Sequence, residues 1–118
     1  MHIERHVVAI TTAVGGAKTA YTTKLVNGRI LAISYIKGDF DDGVDFTITT
    51  ELTLQNLWVQ SDVNATAMVY PFVRTNDQNG GGTTDPKYTR IVAARERVKI
   101  VIASGGDEKS GTFHVLVG

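Results

Sequence analysis

Hydrophobic and polar residues alternate along most of this chain, and the repeat is two. Ile3, Arg5, Val7 and Ala9 alternate with Glu4, His6, Val8 and Ile10, so residues 3–11 predict a strand partly covered on both faces. Gly15-Gly16 breaks the pattern, and the Thr-rich stretch 17–25 predicts a second, weaker strand. Asn27-Gly28 is the strongest hairpin signal in the chain, because both residues tolerate positive φ. Residues 29–36 predict a strong strand, 37–43 an acidic turn and 44–54 another strand. Strands over 57–63 and 65–73 follow. Pro71 cannot donate to a ladder, which places that end at an edge or a bulge. Residues 75–87 are polar and hold Gly80, Gly81 and Gly82, so they predict an exposed, flexible loop. Short strands are expected at 88–94, 97–103 and 111–117. Residues 93–96 have enough helix propensity for a single turn, but no segment of helical length shows a 3.6 period.

Eight or nine strands with turn signals every 8–12 residues predict an all-β fold, a jelly-roll or Greek-key β-sandwich of about eight strands. No repeat or linker divides residues 1–118, so a single domain is expected. An open sheet leaves edges, which makes association through edges a natural expectation.

Composition narrows the function classes. The chain has 118 residues, 42% hydrophobic and 20% charged, which suits a globular domain and not a disordered one. Lys plus Arg and Asp plus Glu both number 12, arguing against direct nucleic-acid binding. Cysteine is absent, which excludes disulfides and thiolate metal sites. No apolar run nears the roughly 20 residues of a helical membrane span. The residues from Met1 to His6 are too charged to open a signal peptide.

Several residue groups invite a chemical reading. Asp39, Asp41, Asp42 and Asp45 crowd around Gly43 and are weak candidates for a calcium site. The EF-hand register fails, because Val44 and Thr50 stand where glycine and glutamate are required. The plain reading is a solvated turn. His2, Glu4 and His6 share one strand face, but the two histidines are about 13 Å apart on an extended strand; His114 could join them through strand pairing. Residues 105–112 (GGDEKSGT) superficially resemble a phosphate loop, yet Glu108 precedes Lys109 and a strand follows. They read as a glycine-flanked hairpin. Ser34, Ser61, Ser104 and Ser110 lie in no nucleophile elbow. No cofactor is implied, and the expectation is a non-enzyme. Arg90, Arg95, Arg97 and Lys99 form a basic cluster; with Glu96 they read as the solvent face of a strand pair, or as a contact for an acidic surface or phosphate. Trp58, Tyr70 and Phe72 read as core or interface anchors.

The opening Ile3-Glu4-Arg5-His6 resembles that of small virion proteins of tailed bacteriophages. So do residues 26–33 (VNGRILAI), 43–49 (GVDFTIT), 96–103 (ERVKIVIA), Gly105-Gly106 and 109–114 (KSGTFH). The resemblance runs end to end and is weakest in the middle loop. It implies a small structural component of the virion, placed on the head as a decoration or cement protein that clamps capsid subunits. Its partners would then be the major capsid protein and further copies of itself, as a homodimer or homotrimer. It would be made in the host bacterial cytoplasm and end on the capsid surface, without contact to nucleic acid or membrane. Candidate interface residues are Arg5, His6, Asn79, Tyr88, Arg90, Arg95 and Arg97. The alternatives are a low-copy neck, tail or fibre-base component, or a carbohydrate-binding adhesion module. Exposed Trp58, Tyr70 or Tyr88 beside an aspartate would mark the last.

Overall fold

The computed structural model describes residues 2–82 and 87–118. Among them are eleven strands and no helix: β1 (Glu4–Thr11), β2 (Lys18–Tyr21), β3 (Val26–Ile36), β4 (Val44–Thr50), β5 (Asn56–Val63), β6 (Ala67–Val69), β7 (Val73–Arg74), β8 (Tyr88–Thr89), β9 (Val92–Glu96), β10 (Val98–Ala103) and β11 (Ser110–Val117). One sheet runs β1-β11-β3-β6, with β9 also on β3; the other runs β2-β10-β4-β5, and β7 and β8 form a separate ribbon. Every pairing is antiparallel. The expected all-β sandwich is therefore the fold.

The alternation explains which side of each strand faces inward. Val44, Phe46, Ile48 and Thr50 of β4 are buried, as are Val98, Ile100 and Ile102 of β10 and Phe113, Val115 and Val117 of β11. Each fully buried Val, Ile or Phe contributes about 1.5–3 kcal/mol relative to exposure. Aromatic rings join the two layers. Phe46 of β4 crosses to Phe113 of β11 edge-on at 5.2 Å and to Tyr35 of β3 at 5.1 Å, while Tyr35 stacks on Phe113 and Trp58 meets Phe46 within their own sheets, at 5.1 and 4.7 Å. The Tyr35 hydroxyl is buried without a hydrogen-bond partner. Burial, with Asp42 adding a smaller push, raises its pKa to about 12.

Among the links that cross between the sheets are those from β1 to β2, from β9 to β10 through Arg97, and from β10 to β11. The first and third are stapled together. The Thr12 N–H donates to the Lys109 carbonyl at 2.8 Å, and Thr12 Oγ1 donates to the Gly106 carbonyl at 2.5 Å. The Gly105 N–H donates to the Gly16 carbonyl at 3.0 Å. A Cβ on Gly16 would fall 2.8 Å from the Gly106 nitrogen, so the close approach requires glycine there.

Several boundaries differ from the sequence expectation. Asn27-Gly28 is not a hairpin turn; it lies inside β3, paired to Ala94 and Ala93 of β9. Gly28 adopts φ 137° there, where a Cβ would press on Val117 and Gly118. Residues 105–110 do not close a hairpin, because β10 and β11 lie in different sheets. Residues 93–96 continue β9 instead of forming a helical turn. The expected strand 17–25 shortens to β2, and the segment 65–73 splits into β6 and β7 around Pro71. Part of the expected loop 75–87 extends the ribbon: the Thr75 N–H donates to the Lys87 carbonyl and Asn76 bridges to Gly82. Residues 83–86 lie outside the described residues.

Candidate protein-docking surface

Strand parity gives the outer face of the five-stranded sheet. Val8, Phe113, Ile33 and Tyr35 point to the core, so their neighbours along each strand point outward. One row across the sheet reads Val7, His114, Ser34, Met68. The row on one side is Arg5, Leu116, Ala32, and on the other Ala9, Thr112, Ile36. Of these ten residues, Arg5 at the rim carries the sole formal charge. An antiparallel sheet with one solvated face normally turns polar side chains outward. Here Val7, Ile36 and Met68 are exposed instead.

The apolar character continues past β6. Tyr70, Phe72 and Tyr88 are 57%, 61% and 60% exposed. The rings of Phe72 and Tyr88 meet edge-on at 5.1 Å. With Tyr70, Thr89 and Arg90 they line an open cleft of about 530 Å³. Pro71 interrupts the strand between Tyr70 and Phe72. The pairing of Val73 with Thr89 and Arg74 with Tyr88 then brings the second aromatic group back beside the first. The Tyr70 hydroxyl donates to Met68 Sδ at 3.8 Å, joining the cleft to the outer sheet face. The Arg90 guanidinium is held by the Leu31 carbonyl at 3.3 Å. It offers one cation at the cleft wall, and no carboxylate lines the cleft.

Two of the seven candidate interface residues, Tyr88 and Arg90, meet in this cleft. Asn79 sits at the ribbon tip, where its N–H and that of Gly81 donate to Asp77 Oδ1, both at 2.9 Å. Arg5 lies on β1, at the opposite edge of the sheet. His6 points inward, its side chain 9% exposed and its Nε2 3.5 Å from Glu4 Oε2. Arg95 occupies a bulge at φ 54°. Arg97 is occupied within the fold: its Nε and Nη2 donate to the Glu51 carboxylate, both at 2.6 Å, and its guanidinium lies 4.2 Å from the Tyr21 ring centre. The hydrogen bond from Arg97 lowers the Glu51 pKa.

Glu96 corrects the solvent-face reading of the basic cluster. It is 2% exposed, and its Oε1 accepts the N–H groups of Leu52 and Thr53 at 2.8 and 3.0 Å, while Thr53 Oγ1 reaches both carboxylate oxygens. Burial pushes its pKa up, and these hydrogen bonds outweigh that push and leave it lowered.

The aspartates around Gly43 are engaged separately. Asp39 Oδ1 accepts the Ser110 N–H at 2.5 Å, Asp42 pairs with Lys37 Nζ at 3.2 Å, and Asp45 Oδ1 accepts the Asp62 N–H at 2.8 Å. Among the described residues no group of three or more His, Asp or Glu is placed to hold a metal ion. Pairing of β1 with β11 puts His114 on the outer face, opposite Val7, and His6 on the inner face, so the two do not converge.

Of the aromatic residues singled out by sequence, Trp58 is core, 7% exposed, its Nε1 donating to Gln60 at 2.8 Å. Tyr70 and Phe72 are at the surface. Pro71 between them is the local signal that the strand ends there.

The chain matches no family model and no curated protein. Among solved structures, that of FLHE is similar over 99% of this chain and 98% of its own, at 12% identity and a TM-score of 0.43.

Proposed function

We propose that the chain is a non-enzymatic structural protein of a tailed-phage virion, a decoration or cement protein that binds the major capsid protein and stabilises the shell. The observation that carries a docking role is the aromatic cleft of Tyr70, Phe72 and Tyr88, continuous with an outer sheet face whose one formal charge, Arg5, lies at the far rim. Exposed apolar surface of this kind marks interaction sites, and aromatic anchors with an arginine at the wall are the residue types that dominate interface energies. The resemblance to tailed-phage virion proteins supplies the partner. A stable contact buries about 800 Å² per partner, and repeated copies on a shell add avidity.

Copy number tests this placement. Quantitative mass spectrometry of purified virions should give a ratio to the major capsid protein within a few-fold of unity. A ratio fitting one ring per particle moves the protein to the neck or tail, and absence from virions removes both placements. A sugar-binding role is less well supported, because Trp58 is core and no carboxylate lines the cleft.

A further inference from the structure

The outer strands of the two large sheets are not equally protected. β6 has three residues, and β2 has four and carries Lys18. β5 meets β4 through two register shifts and holds Asp62 at φ 57°. β9 is bulged at Arg95. Short length, lysine and bulges are the devices that keep sheet edges from pairing with other chains. β1 is neither short nor bulged, and its charges are confined to Glu4 and Arg5 at its first two positions: its eight residues pair with β11 in unbroken register. From His6 to Thr11 it contains no proline, lysine, arginine or acid.

The hydrogen-bond parity of this edge is fixed. The Thr12 N–H donates to the Lys109 carbonyl, one step beyond the β1–β11 ladder and in the same register. Hydrogen-bonded pairs alternate along an antiparallel ladder. The even residues of β1 therefore bond to β11, and Arg5, Val7, Ala9 and Thr11 turn their N–H and C=O groups to the free edge. Among the described residues β11 is the sole strand partner of β1.

We infer that β1 is a self-association edge, which pairs antiparallel with β1 of a second copy about a twofold axis at Val8. Facing requires it to pair odd residues with odd and even with even, since a one-residue slip would turn core side chains outward. With the axis at Val8, Arg5 opposes Thr11 of the second copy and Val7 opposes Ala9. Each such pair exchanges two bonds, so about eight ladder hydrogen bonds form. An axis at Val7 uses about six within the strand. The Val8 register places no like charges opposite one another, and isologous pairing closes the edge instead of propagating it. The two five-stranded sheets then become one continuous sheet, with both outer faces on the same side. This pairing does not depend on a virion role.

The chain has no cysteine, which makes the register directly testable. At a non-hydrogen-bonded antiparallel pair the Cα atoms lie about 4.5 Å apart, within disulfide reach. Val8→Cys should form a covalent dimer under mild oxidation at micromolar concentration, whereas Val7→Cys should not. By sedimentation the unmodified protein should be a dimer. Ala9→Pro removes an edge-facing N–H but no bond to β11, and should sediment as a monomer with an unchanged β circular-dichroism spectrum. A monomeric unmodified protein, a dimer that survives Ala9→Pro, or cross-linking at Val7→Cys and not at Val8→Cys overturns the proposal.

Discussion

Glu96, where β9 hands over to β10, holds Thr53 across 43 positions of sequence through its backbone N–H and its hydroxyl. The same carboxylate takes the Leu52 N–H. One buried acid thereby ties the turn after β4 to the corner where the chain changes sheets, and Arg97 beside it clamps Glu51.

Replacing this acid should be costly and should change the response to pH. Glu96→Gln keeps the shape but weakens the acceptor, and a loss of about 1–3 kcal/mol is expected in urea unfolding at pH 7. The folded pKa of Glu96 is lowered, so its contribution is present above the ordinary carboxylate value of about 4.3 and is lost as pH falls through the folded value. The stability gap between the native sequence and Glu96→Gln should therefore narrow below about pH 4. A gap that is constant with pH contradicts the role given to the carboxylate.

Tyr35→Phe should behave in the opposite sense. The hydroxyl it removes is buried and unpartnered, so the substitution should be neutral or stabilising by up to about 1–2 kcal/mol. The folded pKa of Tyr35 is raised to about 12. Its contribution is full below the unfolded value of about 10 and is lost as pH rises from there through the folded value. Alkaline unfolding curves should show a shallower loss of stability above pH 10 for Tyr35→Phe. An unchanged alkaline slope would contradict the assignment.

Gly111→Ala probes packing beneath the acidic turn. A Cβ at Gly111 would run into the Phe40 ring and lie 3.1 Å from the Lys37 carbonyl. Phe40 is fully buried and has little room to withdraw. Overpacking of this kind costs about 1–3 kcal/mol, which thermal unfolding would register as a fall in Tm of several degrees.

The core was legible because alternation survives in β4, β10 and β11, where one face of each strand is buried. The turn chemistry of Asn27-Gly28 misled because a glycine there serves a close approach to Gly118, from the far end of the chain. Glu96 could not be recognised as interior, since its donors lie more than 40 positions away. The sequence marks Tyr88 and Arg90 as candidate interface residues, but their meeting with Phe72 depends on the β7–β8 ribbon, whose two strands are two residues each. Two-residue strands leave no periodicity to read.

The most direct measurement is rebinding to heads that lack the protein. Purified chain should co-sediment with such heads to saturation. Phe72→Ala and Tyr88→Ala, which truncate exposed rings, should keep the native Tm within a few degrees and weaken binding by at least tenfold each, as aromatic anchors at interface centres do. Failure of the unmodified chain to bind heads, or equal binding by both variants, would contradict docking through this cleft.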